Sequence, residues 1–257
     1  MKKLLTFVFL LMVSFSSLFA QKDWNVSDGA MLDGRSIIKL NLTGLPLRNF
    51  GLYGERIINN RFSAVLGVNF MPTGGIPFSN SFHITEQDVQ GTIDHTKINS
   101  LALTPEIRIY TGSGYGKGFY FAPYFKYERY GVKDLSTTFT DNDGIDREVI
   151  TSGKLNTYSG GLMIGHQWLM GKNKNILLDW SILGIHAGKS SGNINGYYAL
   201  GTMTESQQQD VKDNIDETLD KIPMLKHTTT VDDKNVVVDM KGPWAFFRMG
   251  LSIGYRF

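Results

Sequence analysis

The 257 residues contain no cysteine, which excludes disulfides, a thiol nucleophile, a thiolate metal site and an N-terminal lipidated cysteine. Neither sign of charge dominates. Once Lys2 and Lys3 leave with a cleaved leader, the remaining Lys and Arg balance the 24 Asp and Glu, and no basic block occurs. That balance argues against a nucleic-acid partner. After the first twenty residues no apolar run approaches the roughly 20 residues of a membrane-spanning helix. Proline is scarce, 7 residues against 28 glycines, 16 Phe and 11 Tyr, a balance that favours one large β domain over two small ones.

What is present begins with a leader. Lys2 and Lys3, the apolar "LLTFVFLLMV" and the exit "SLFA" before Gln21 read as a secretory signal peptide over 1–20, with an N-terminal periplasmic segment over 21–35. Export without cysteine suits a bacterial envelope protein that gains its stability from a closed sheet.

Eight segments then alternate apolar and polar side chains, the signature of half-buried strands. They are 36–44, 49–57, 61–71, 98–110, 119–132, 156–170, 176–188 and a last one ending "RMGLSIGYRF". Alternation alone fits a soluble sandwich as well as a membrane barrel. Loop lengths separate the two: the second, fourth and sixth connections are short, whereas the third, fifth and seventh are long, as in barrels with short periplasmic turns and long outer loops. Aromatic residues fall at both strand ends, Phe119, Phe121, Trp168, Tyr255 and Phe257 at one and Phe70, Tyr127, Tyr158 and Phe247 at the other. The expectation is an all-β fold, an eight-stranded antiparallel transmembrane β-barrel over 36–257 with a helix-containing extracellular loop, in the outer membrane of a Gram-negative bacterium. Met249, Leu251, Ile253, Tyr255 and Phe257 end the last strand as a C-terminal assembly signal would, which implies barrel-assembly machinery as a partner during biogenesis.

An eight-stranded barrel has room inside only for side chains. The face opposite to lipid carries Lys39, Glu55, Glu106, Arg108, Lys126, Glu128, Asp179, Arg248 and Arg256. Buried charges need partners, so these nine are expected to form a network that plugs the lumen. Residues 189–241 form the longest loop. Within it Thr204 and Gln207 make a capping pattern, and Val211, Ile215, Leu219 and Ile222 make one apolar stripe on an otherwise acidic helix ended by Pro223. The stripe suits a helix lying across the barrel mouth, and "HTTTVDDKNVVVDM" reads as a hairpin turning at 233–235. This cap is also where an extracellular or envelope protein partner would bind.

Two short constellations allow other chemistry. "DNDGID" over 141–146 lacks the spacing and terminal glutamate of a calcium loop and reads as a turn. His186 with Ser190 and Ser191, near the outer rim of the seventh strand, is the place where a lipid A acyl hydrolase or acyltransferase would keep its nucleophile, although no carboxylate completes it. His166 reads as a packing residue, and His83, His95 and His227 share no metal-ligand spacing. No metal and no cofactor is expected.

At "NLTGLPLRNFGLYGERIINNRFSAVLGVNFMPTGGIPF", "GGLMIGHQWLMGKNKNILLDWSILGIHAG" and "KGPWAFFRMGLSIGYRF" the chain resembles an uncharacterised family of small outer-membrane barrel proteins of Bacteroidota. The resemblance runs from about residue 36 to the end. It implies location and fold and supplies no catalytic residue. The functional expectation is a plugged barrel with a structural or surface-interaction role, meeting outer-membrane lipid, lipopolysaccharide or a protein through its outer loops. The alternatives are a lipid A-modifying enzyme, a narrow pore or hydrophobic-ligand transporter, and a soluble sandwich.

Overall fold

The computed structural model describes residues 34–78, 96–112, 114–140, 146–198 and 201–257, with 136–140 and 146–149 by backbone alone. The leader, most of the segment after it, His83, His95 and residues 141–145 of the acidic motif lie outside the described residues.

The alternating segments form strands because each side chain on one face meets the interior and its neighbour does not. In chain order they are β1 (Ser36–Asn41), β2 (Phe50–Ile57), β3 (Phe62–Gly75), β4 (Lys97–Tyr110), β5 (Gly118–Thr140), β6 (Asp146–Met170) and β7 (Ile176–Tyr198). A helix, α1 (Glu205–Asp220), and a short strand, β8 (Lys226–Val231), precede the last strand, β9 (Asn235–Arg256). Neighbouring strands pair antiparallel in the order β1-β2-β3-β4-β5-β6-β7-β9-β8, and β1 also pairs with β9. The result is a closed ring of eight hydrogen-bonded strands, with β8 attached to the flank of β9. Among the described residues no helix is long and apolar enough to cross a membrane.

Closure is visible in the register. One row of paired residues passes through Leu178, Ile253, Leu40, Leu52, Val68, Leu103, Tyr127 and Tyr158, one from each strand of the ring. It returns to β7 at Lys189 instead of Leu178, the stagger that a closed, tilted sheet requires.

The strand expectations hold near the tight turns and stop short at the other end. β5 runs to Thr140, β6 starts at Asp146, β7 continues to Tyr198 and β9 starts at Asn235. Residues 189–198, which the sequence places in the loop, are therefore strand, and the expected hairpin after 235 runs straight into β9. Their apolar alternation is weak because much of this extension is polar, so ladder hydrogen bonds continue where periodicity has no signal. The first connection, by contrast, is a single 3-10 turn at Leu45–Leu47. The ring is thus tall along β5, β6, β7 and β9 and low at β1 and β2.

Thr204 caps α1 with the expected box: its hydroxyl accepts from the Gln207 amide, and the Gln207 side chain accepts from the Thr204 amide. The apolar stripe packs Val211, Ile215 and Leu219 against Tyr198, Met203, Val236 and Val238. The helix therefore lies on the tall extension of β7 and β9, where the stripe finds a sheet face. The hairpin expected at 233–235 forms between β8 and β9, with Asp232 accepting from the amides of Lys234 and Asn235.

Candidate functional site: the buried ionic network and the cavity above it

The buried face of the ring is its interior, because side chains from strands that are not neighbours meet there. Lys39 on β1 donates from Nζ to Asp179 on β7 at 2.6 Å and to Glu55 on β2 at 2.6 Å. Arg108 on β4 donates from Nη1 to the same Asp179 oxygen at 2.6 Å and from Nε to Glu106 at 2.7 Å. All five side chains are at most 3 % exposed. Two cations thus share one carboxylate oxygen across the ring, and each has a second carboxylate on its own side.

Neutral groups complete the coordination. Gln167 accepts from both Lys39 and Arg108 through Oε1 and donates to the Gly116 carbonyl. Tyr120 donates to Asp179 and Tyr110 to Glu55, both at 2.8 Å, while Ser63 also donates to Glu55. The Arg108 guanidinium lies over the Tyr120 ring at 4.1 Å. A fully paired network of this kind is rigid, since losing any member leaves another charge without a partner.

Of the remaining interior charges only Arg248 joins this cluster, through Glu106. Lys126 pairs with Glu128 two residues along β5, and Arg248 on β9 reaches Glu106 at 3.2 Å while stacking over Tyr53 and Tyr124. Arg256 is at the turn end, donating to the carbonyls of Gly34 and Tyr115. Tyr110, Tyr120, Gln167 and Ser63 were not singled out from sequence. Their position on the same alternating face as the charges was the available signal, but cross-ring bonding has no sequence signature.

His186 is not at the rim. One extra residue, Ile182, bulges from β7: Ser181 pairs with Gly250 and Gly184 with Arg248, so β7 uses three steps where β9 uses two. A bulge of one residue exchanges the faces beyond it. Asp179 and His186 therefore both point inward, although simple alternation would put them on opposite sides. His186 is 4 % exposed and its Nδ1 meets the Tyr124 hydroxyl at 2.9 Å. Ser190 donates instead to the Gly242 carbonyl, and four residues of strand separate it from His186 by about 13 Å. Ser191 is exposed on the other face. The serine and histidine expected for acyl chemistry are thus not brought together.

His166 lies against Trp168, ring centroids 4.2 Å apart. His227 meets Asp216 at 3.1 Å. Among the described residues no group of three or more His, Asp and Glu converges as a metal site. The terminal residues Met249, Ile253, Tyr255 and Phe257 are exposed and Leu251 half-buried, all on the outer face, while Ser252 and Arg256 between them are buried.

Above the network the interior holds a cavity of about 360 Å³. Arg108 and Asp179 lie in its floor, Lys126, Glu128 and Arg248 in its walls, and Leu47, Phe246, Phe247 and Met249 on one side.

The acidic cap is tied to β8 through Asp216. Hydrogen bonds from Lys212 and His227 hold its carboxyl below the ordinary carboxylate range. A carboxylate with a lowered folded pKa stabilises above its unfolded value, near 3.8 here, and the contribution disappears as pH falls through the folded one. The docking of α1 is therefore expected to weaken as pH falls below about 4. Asp216→Asn should loosen it at neutral pH. Proteolytic nicking near α1, followed against pH in both proteins, measures this; equal resistance across the range would remove Asp216 from the docking.

Residues 7–187 match the family model described as protein of unknown function (DUF3575), and the chain belongs to that family. The matched range ends one residue after His186, so it omits the end of β7, α1, β8 and β9. No curated protein matches the chain.

Proposed function

We propose that this member of a family without assigned function is an outer-membrane β-barrel, plugged by its ionic network, that works through the surface it raises beyond the membrane. The carrying observation is an inversion of the soluble pattern. Charged side chains gather in the interior, most of them in ion pairs, while Leu52, Leu66, Leu103, Phe125, Leu162 and Ile185 stand exposed on the outside. A water-soluble ring would gain by reversing these faces, since burying apolar surface is the main favourable term in folding. In a bilayer the same belt contacts hydrocarbon, and ladder bonds satisfy the ring's backbone except along one edge of β9.

Dimensions support this reading. A membrane strand needs about 9–11 residues, whereas β5, β6, β7 and β9 have 23, 25, 23 and 22. The surplus forms the tall extension that carries α1 and β8. Because the tight turns and the strand end at Arg256 share the opposite end, the extension would face outward and offer its acidic helix to lipopolysaccharide or a protein partner.

The folded protein should migrate faster than the boiled one on a denaturing gel and remain silent in a planar bilayer at single-channel resolution. Stepwise conductance from the unmodified protein would refute the plug. Identical migration before and after boiling, from a sample refolded in detergent, would count against the barrel.

A further inference from the structure

Among the described residues the ring's wall is incomplete above the network. β7 pairs with β9 along Asn235–Tyr255, but β1 pairs with it only over Ser252–Arg256, extended by a bond from the Leu42 amide to the Leu251 carbonyl. β8 covers the same edge only over Val236–Lys241. Among the described residues no strand lies against that edge from Gly242 to Gly250. Pro243 falls within it, a residue without an N–H and suited to an unpaired edge.

The cavity lies behind this gap. Phe247 pairs across the sheet with Ile185 and, through it, with Leu162, so the mouth is level with the outer apolar belt. Phe246 follows on the inward side of β9 and stacks on Phe247 with ring centroids 5.1 Å apart. The two rings make a continuous aromatic surface from outside to inside. Leu47 on the 3-10 turn and Met249 add exposed apolar surface beside them, at 45 % and 59 %.

Deeper in, polar capacity is unspent. Arg248 uses Nη1 on Glu106, one bond from a guanidinium with five N–H donors. Among the described residues the buried Asn49 Oδ1, in the cavity lining, has no hydrogen-bond partner. Neither has the Trp244 indole nitrogen, whose ring stacks on the lining residue Phe246 and lies tilted against Tyr130. Among the lining side chains three cations, Arg108, Lys126 and Arg248, face two carboxylates, Glu128 and Asp179.

We propose that the gap is a lateral portal and the cavity a site for a single-chain amphiphile whose head carries carboxylate or phosphate oxygens, a proposal that rests on the membrane-barrel reading. The head accepts from Arg248 and Lys126, and the chain leaves between Leu47 and the Phe246–Phe247 pair into the surrounding hydrocarbon. A ligand arriving from water would have no use for an apolar mouth on the belt. A lipidic one would also place its polar head close to main-chain groups that hydrocarbon cannot satisfy.

The test uses the full-length protein, refolded in a mild detergent and showing heat-dependent migration. It is titrated with palmitate or with lysophosphatidic acid of the same chain, each brominated in the chain. Tryptophan quenching against the unbrominated compound, with native mass spectrometry, reads occupancy. Saturable quenching with a one-to-one adduct is expected, weakened about tenfold or more in Leu47→Asp and Arg248→Gln. Leu47 is exposed on a turn, so its variant folds even where loss of Arg248 disturbs the interior.

Binding of palmitate alone assigns a free fatty acid, binding of the lysolipid alone a phospholipid product, and either supports the portal. No adduct on heat-modifiable protein, or equal binding by wild type and Leu47→Asp, overturns the portal and leaves the barrel standing. A wild-type protein without heat-dependent migration fails the barrel reading itself.

Discussion

Leu103→Arg should lower the folding free energy of this protein in a phospholipid bilayer by about 2–4 kcal/mol, the cost of a cation on the lipid face of a barrel near the midplane. Leu103 is 43 % exposed, faces outward and pairs with Val68 on one side and Tyr127 on the other, in the row that encircles the ring. Its side chain makes no interior contact for arginine to disrupt. In water the same substitution at an exposed position changes stability by about 0.5 kcal/mol or less. Reversible urea unfolding in vesicles, followed by tryptophan fluorescence, measures the difference. An effect near zero would mean that this face does not meet hydrocarbon and would remove the foundation of the membrane proposal.

Removing one shared acceptor from the interior is expected to cost more. Asp179→Ala leaves Lys39 and Arg108 without the oxygen that both approach at 2.6 Å, and leaves the Tyr120 hydroxyl without its 2.8 Å acceptor. Truncating one member of a buried ion cluster costs about 3–5 kcal/mol, because the partners remain buried with charge uncompensated. The variant should unfold at clearly lower urea than wild type and lose much of its heat-resistant band. Gln167 still accepts from both cations, so assembly need not be abolished. Asp179→Asn keeps one oxygen and the volume, and should lie between the two. If all three proteins unfold together, the network contributes no stability and the lumen must be filled by something other than this cluster.

The sequence legibly carried the ring's eight strands, because the interior face and the outer face demand opposite polarity and the chain answers at every second residue. Ile38 and Leu40 flank Lys39 on β1, and Leu103 and Ile107 alternate with Glu106 and Arg108 on β4. The capping box of α1 and Val211, Ile215 and Leu219 of its stripe were equally local and formed where the periodicity places them, whereas the helix ends at Asp220 and leaves Ile222 exposed beyond it. Strand length was less legible: β5, β6, β7 and β9 continue through polar residues whose backbone bonds leave no trace in side-chain pattern.

Tertiary structure alone decided the chemistry of the interior. That Lys39 and Arg108 converge on Asp179 follows from ring closure, which brings residues far apart in the chain to one point. Only the bulge at Ile182 turns His186 inward to Tyr124, since a single inserted residue reverses facing without altering composition. The edge of β9 that no described strand pairs likewise arises from unequal strand lengths around the ring, a short β1 beside a long β9. By itself, then, the sequence determined which residues face inward and outward wherever alternation runs unbroken. Folding decided which inward residues meet, because pairing across a closed sheet depends on register and stagger, and those are properties of the whole ring.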